Sequence, residues 1–198
     1  MDSNLSMESY IFLSVISVIV ILFIVYVIKL YNLIINNKNA VTRSWSVVIT
    51  QERQKSKILQ PLEELVREYS GIEENVLSKI TALRSSISGI DQSAPDTDSL
   101  LKVERMAEEV MKGLNVSVEA YPELKSSEMY VNLLNEISEQ QEEVGAAIRI
   151  FNRNVEIMNN SIEEFPNSIV NSLFNKQVKI DSFSDSSSES GFEFKYHL

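Results

Sequence analysis

The chain has 198 residues, a net charge of −10, 44% hydrophobic residues, five glycines, four prolines, one histidine and no cysteine. The missing cysteines exclude disulfides, thiolate metal sites and a cysteine nucleophile, and the acidic balance argues against nucleic-acid binding, which needs a basic face to displace phosphate counterions. The apolar content suits a folded core rather than general disorder, and scarce glycine and proline point to long helices with few interruptions.

A short segment, residues 1–8, precedes Ser9–Ile28, an uncharged stretch bounded by Glu8 and Lys29. At 1.5 Å rise per residue, 20 residues cross a hydrocarbon core of about 30 Å, and only a helix satisfies its own backbone there. Tyr10 and Tyr26 lie near the two ends, where amphipathic rings favour the interface. A cleaved signal peptide starts basic and has an apolar core of about 7–15 residues; this segment starts with Asp2 and Glu8 and runs longer, so it reads as a permanent single-pass anchor. Its positive flank is C-terminal, which places the N-terminus outside and the remaining chain in the cytoplasm. Residues 29–60 carry six basic side chains against Glu52, a net +5, whereas 61–198 carry a net −13. Of the basic collar, Lys29 and Lys38 are near enough to lie on anionic lipid; Lys55 would be about 40 Å out along a straight helix.

The first helix continues out of the membrane, with Tyr31, Ile34, Ile35, Val41, Trp45 and Val48 in steps that line one face. Thr50–Lys57 lacks apolar side chains and Pro61 lacks an N–H, so a kink or interruption is expected around 57–61. The helix then resumes through Leu62, Leu65, Val66, Tyr69, Ile72, Val76, Leu77, Ile80 and Leu83. Ser85–Ser99 reads as a loop, with Asp98 or Ser99 capping a second helix that runs to Ala120. Tyr121-Pro122 breaks it, because the residue before proline disfavours helical angles. A third helix, capped by Ser126 or Ser127, carries an apolar stripe from Tyr130 to Phe165 and should reach some 50 Å. Gln140 and Gln141 fall on that stripe, either as a buried register device or as exposed residues past which it rotates. Phe165-Pro166 ends it, and Asn167–Phe174 forms a short fourth helix. From residue 181 the Ser-rich composition predicts a disordered tail; its aromatic end is either a docking peptide or untethered.

Specific residues match a known family. Tyr31-Asn32-Leu33, Ala40-Val41, Trp45-Ser46, Tyr69, then Glu119-Ala120-Tyr121-Pro122-Glu123-Leu124-Lys125, Phe151-Asn152, Val155, Asn159, Phe165-Pro166 and Ser172-Leu173-Phe174 give a chain that resembles the LemA family of bacterial membrane-anchored proteins over about residues 10–175. The resemblance implies an N-terminal anchor and a cytoplasmic-side bundle of long antiparallel helices. Some relatives belong to magnetosome membranes, which makes a specialised internal membrane the alternative setting. The chain departs from the family at Glu52 and Gln54-Lys55, where the family carries a leucine and paired arginines, and at Ile58-Leu59-Gln60-Pro61, with the proline one place late. Phe151 replaces a tyrosine. Any surface function resting on those arginines is therefore in doubt.

Three amphipathic stripes cannot bury themselves alone. They predict an all-α fold in which the transmembrane helix continues into an elongated antiparallel bundle of three long helices plus a short C-terminal one, over residues 29–180. Nothing predicts catalysis, a metal or a cofactor. His197 stands one residue from the end, and the paired glutamates are adjacent, so they diverge by about 100° on a helix. The residues left for interaction or family-specific roles are Tyr31, Asn32, Trp45, Tyr121, Pro122, Leu124, Lys125, Phe151, Asn152, Phe165 and Pro166. Trp45 is core filler or an exposed partner anchor; the amides of Asn32, Asn152 and Asn159 bridge helices or bind a ligand. The expected function is a membrane-tethered scaffold or adaptor for a protein partner. The alternative is a membrane organiser that self-associates.

Overall fold

The computed structural model describes residues 7–68 and 74–184. Residues 1–6, the expected helical positions Tyr69 and Ile72, and the tail from 185 with its aromatic end and His197 lie outside the described residues. Among those described, every regular element is helical: α1 (Met7–Glu68), α2 (Glu74–Gly89), α3 (Thr97–Ala120), one-turn α4 (Pro122–Lys125), α5 (Glu128–Glu163) and α6 (Asn167–Val170), which leads into a π-helical turn at Asn171–Asn175. The chain divides into two compact units. Among the described residues, one holds the chain from Met7 to Asn39 together with Ile157–Ile180; the other holds the rest, from Ala40 to Glu156 and residues 181–184.

The first unit contains the apolar span. One 18-residue window there reaches a mean hydropathy of 3.2 with none of it buried, and its apolar side chains are exposed all round, including Phe12, Val18, Leu22 and Ile24. A helix that is hydrophobic on every face and packs against nothing is suited to a bilayer. Two of its serine hydroxyls are satisfied within the helix: Ser14 Oγ donates to the Ile11 carbonyl at 2.7 Å and Ser17 Oγ to that of Ser14 at 2.8 Å. Farther along, Ile34, Met158, Ile162 and Val170 are buried in the same unit.

The second unit is an up-down-up-down bundle of four helices, not three. The expected first bundle helix is in fact two: α1 ends at Glu68, and α2 runs back antiparallel to it, so that Arg84 meets Gln60 and Glu63 and Arg53 meets Ile90. Val76, Ile80, Leu83 and Ile87 are buried at steps of four, three and four. That stripe continues the periodicity of α1, which is why the sequence reads as one helix; the only punctuation between them is Ser70-Gly71.

Two further expectations change. Of the kink or interruption expected around 57–61, the interruption is absent: α1 runs through Pro61. Proline removes a hydrogen bond and costs about 3 kcal/mol in a helix interior, but Pro61 faces solvent while its neighbours Leu59, Leu62, Leu65 and Val66 are buried. Their burial offsets that cost, each contributing about 1.5–3 kcal/mol. The loop is also shorter than Ser85–Ser99, and α3 is capped by Asp96, whose Oδ1 accepts the Ser99 N–H at 2.9 Å. This N–H holds the Asp96 carboxyl below its ordinary range, and the geometry is that of a side chain accepting from the third helical residue. Ser127 caps α5 as expected, accepting the Tyr130 N–H at 3.5 Å. The tail expected from 181 is fixed at its start, since Phe183 is buried.

Asp96→Ala is expected to lower stability by about 1 kcal/mol, and Asp98→Ala by less. Denaturant unfolding of the full chain in detergent micelles, followed by circular dichroism, checks this.

Candidate functional site

The buried stripe of α1 does not stop where its apolar residues do. Trp45, Val48, Ile49, Glu52, Lys55, Leu59 and Leu62 are all buried, at steps of three and four broken by one adjacent pair. Glu52 and Lys55 thus occupy core positions on one face of the helix. Lys55 Nζ donates to Glu52 Oε1 at 3.0 Å, to Glu104 Oε1 on α3 at 3.0 Å and to Gln141 Oε1 on α5 at 2.8 Å. Gln141 Nε2 closes the ring by donating to Glu104 Oε2 at 2.7 Å. All three ammonium protons are therefore used, and three helices meet at one nitrogen. Beside this cluster lies a cavity of about 20 Å³, lined by Lys55 and Gln141 and by apolar residues such as Leu59, Leu83, Met111 and Ile137. That is room for about one water molecule.

One lysine faces two carboxylates, and they do not share it equally. Glu104 has donors on both oxygens. Burial pushes its carboxyl up, but Lys55 together with the hydrogen bonds outweighs that and holds it below the usual range. Glu52 Oε2 is buried with no hydrogen-bond partner. Burial dominates there, Lys55 only partly opposes it, and the carboxyl is pushed up to about 8. Glu52 therefore keeps its proton to higher pH than an ordinary carboxyl does, and Glu104 is the carboxylate that Lys55 chiefly pairs with. Burial lowers Lys55, but Glu104 and Glu52 more than compensate, so it stays charged with its pKa raised. A second ion cluster joins α1 to α2: Glu63 accepts from Arg84, Arg67 and Thr81 at 2.8, 2.8 and 3.1 Å. These bonds overcome its partial burial and hold its carboxyl below the ordinary range.

The residues singled out from sequence are not gathered in one place. Trp45 is fully buried, its Nε1 donating to the Asp91 carbonyl at 2.9 Å and its ring 5.3 Å from that of Phe151 at 54°. It is core, and it docks the 90–96 loop together with Ser46, which donates to Gln92, and Arg53. Tyr121 and Pro122 form the corner into α4, where Leu124 is fully buried and Lys125 exposed. Gln141 is interior, while half-buried Gln140 donates to Gln51 on α1.

Asn152 and Asn159 do bridge, though not helix to helix. Asn152 donates to the Phe183 carbonyl at 2.7 Å and accepts the Phe183 N–H at 2.9 Å. Asn159 does the same with Ile180, at 2.8 and 3.0 Å. Asn171 repeats the pattern with Gln177. Each amide presents one donor and one acceptor side by side, matching the two polar groups of a single extended residue. In the first unit, Asn32, Lys29 and Lys38 are exposed, Phe165 is 80% exposed, Pro166 is half-buried and Tyr31 accepts from Asn175 at 3.1 Å. Sequence reasoning missed Glu52, Lys55, Glu104, Asn171 and Asn175. For the first two the signal was present in the unbroken three-four spacing. Among the described residues no group of three His, Cys, Asp or Glu is arranged to hold a metal ion.

A family model described as LemA family matches residues 44–190, which contain the buried cluster and all three asparagine clamps. A curated relative, Protein LemA of Metamycoplasma hominis, is 31% identical over 134 residues, covering 68% of this chain and 60% of that protein. The chain thus spans less than two thirds of that relative's length.

Two outcomes follow from the cluster. A carboxyl whose pKa is raised on folding binds its proton more tightly in the folded chain, so Glu52 favours folding at low pH. Stability should fall as pH rises from about 4.5 to about 8, by up to about 1.4 kcal/mol per pH unit. Glu104 and Glu63, lowered on folding, contribute above their ordinary value of 4.5 and lose that contribution as pH falls below it. Glu52→Gln keeps an acceptor for Lys55 and should remove the decline above pH 4.5, as read from denaturant midpoints at pH 5 and pH 8. Lys55→Met leaves Glu104 buried without its cation and should cost about 3–5 kcal/mol at pH 7 in the same assay.

Proposed function

The chain belongs to the LemA family, and from that membership and the geometry above we propose that it is a membrane-tethered scaffold or adaptor whose helical bundle binds a protein partner at the membrane. The observation that carries this reading is that one helix, Met7–Glu68, contains both the apolar span and the first helix of the bundle. No linker separates them, so what the bundle binds is held at the membrane. The ionisable groups with the most perturbed environments, Glu52, Lys55 and Glu104, are buried and hydrogen-bonded to one another in the bundle interior, beside a cavity with room for about one water molecule, which favours structural service over acid–base chemistry.

The outer surface of α5 supports binding by charge. Glu136, Glu139, Glu142 and Glu143 are all exposed, and such a ridge steers a partner with a basic surface while repelling a second copy of itself. That repulsion places the adaptor reading ahead of the self-associating membrane organiser. Lys29 and Lys38 follow the span and Asp2 and Glu8 precede it, which favours an outside N-terminus and a cytoplasmic bundle in a bacterial membrane.

Cross-linking and pull-down in cells, with the full chain and with a chain lacking residues 1–28, tests this. The adaptor reading expects a discrete partner recovered with the anchored form and lost at high salt. Ladders of the chain itself, with no other protein, would replace it with the membrane-organising reading.

A further inference from the structure

The first unit exposes apolar side chains that the anchor does not explain. Phe165 is 80% exposed, Ile169 52%, Leu173 63%, Phe174 59% and Val178 78%. Phe165, Ile169 and Leu173 follow one another at steps of four. Yet this segment is firmly built. Asn167, Val170 and Asn175 are buried, Asn171 clamps Gln177 through both backbone groups, and Lys179 pairs with Glu163 at 2.7 Å. A contiguous set of large apolar side chains held outward by an ordered segment marks an interaction surface.

Its position identifies what it meets. Asn175 Nδ2 donates to the Tyr31 carbonyl at 3.1 Å, and Tyr31 lies three residues beyond Ile28, the last residue of the uncharged span. At 1.5 Å per residue that is about 4.5 Å past the hydrocarbon edge. The headgroup layer on each side is about 5–7 Å deep, given a core of about 30 Å in a bilayer of about 40–45 Å. A residue in contact with Tyr31 is therefore at headgroup depth when α1 spans the membrane, and Leu173 and Phe174 are its close sequence neighbours.

We propose that the segment Phe165–Val178 is a second, interfacial membrane contact, whose apolar side chains enter the headgroup–acyl boundary of the leaflet from which α1 emerges. The inference rests on the reading of Ser9–Ile28 as a spanning helix. Exposed Lys176, like Lys29, then sits among lipid headgroups, where a cation is favoured by anionic lipid. The anchor and this segment together fix the unit to the bilayer at two places, as peripheral elements with an apolar face and a polar back do.

The chain has no cysteine, so single cysteines can carry an environment-sensitive fluorophore. The full chain is reconstituted into phosphatidylcholine–phosphatidylglycerol vesicles with the label at Leu173→Cys, at Ile16→Cys in the span, or at Glu139→Cys on α5. Val178→Cys repeats the test should a label at 173 disturb the segment. The proposal expects emission from 173 to shift to shorter wavelength, to be lost to a quencher carried on shallow acyl positions, and to resist aqueous iodide, while 16 responds to a deep quencher and 139 to iodide. Iodide quenching at 173 with 16 still in lipid overturns the proposal and leaves the anchor standing. A shifted emission at 173 shielded from both quenchers means that protein covers the segment, which also overturns it. Iodide quenching at 16 removes the anchor itself, and the proposal with it.

Discussion

The bundle is organised around a lysine that is 1% exposed. Moving an ammonium or a carboxylate out of water carries a penalty of several kcal/mol per ion, and a buried pair is viable only with good geometry and with its remaining donors and acceptors satisfied. Lys55 meets that condition by using all three protons, on α1, α3 and α5. The second carboxylate would spoil the balance if it were charged. Its burial and its unpartnered oxygen raise its pKa and favour the neutral form, in which the cluster holds one positive and one negative charge. Sliding any of the three helices by one turn, about 5.4 Å, would break the ring and bury the same charges apart. An apolar core would tolerate such a slip far better, and the cluster therefore specifies register beyond what it adds in stability.

The asparagines solve a related problem in non-helical chain. Backbone after the last helix has no intrahelical partners for its N–H and C=O groups, and buried ones must find some. Asn152 and Asn159 supply both bonds to Phe183 and Ile180 from side chains on α5, and Asn171 does so for Gln177. A single amide thus does for an extended residue what a neighbouring strand would do in a sheet. Replacing either amide by an apolar side chain of similar size would leave two backbone groups without partners.

The sequence made the long apolar helix, the helical class, the corner at Tyr121-Pro122 and the short helix after Phe165-Pro166 legible, because each rests on a local rule: length without charge, three-four spacing, proline chemistry. What it obscured follows from treating charge as a mark of surface. Thr50–Lys57 reads as polar and therefore exposed, yet Glu52 and Lys55 carry the buried stripe across the gap, and their partners lie 49 and 86 residues from Lys55. No local rule pairs residues so distant. The reversal between α1 and α2 was hidden for the opposite reason, since two apolar stripes continue in phase across it. The N-cap of α3 was misplaced by two or three residues because Asp96, Asp98 and Ser99 are all good caps, and only the geometry of the Ser99 N–H selects one.

These placements change what the departures from the family pattern mean. On the resemblance read from the sequence, Glu52 and Lys55 fall where the family pattern has a leucine and an arginine, a difference that reads from sequence as the loss of a recognition surface. Both positions are interior. A leucine replaced by an acid is, in isolation, the burial of an unpaired polar group, and it should destabilise the fold strongly. Here the acid sits one turn from a lysine and shares its proton donors, so the two departures compensate each other within one cluster. They are a change of core packing and leave the outer faces of the bundle to other residues. The exposed acidic ridge of α5 is one such face.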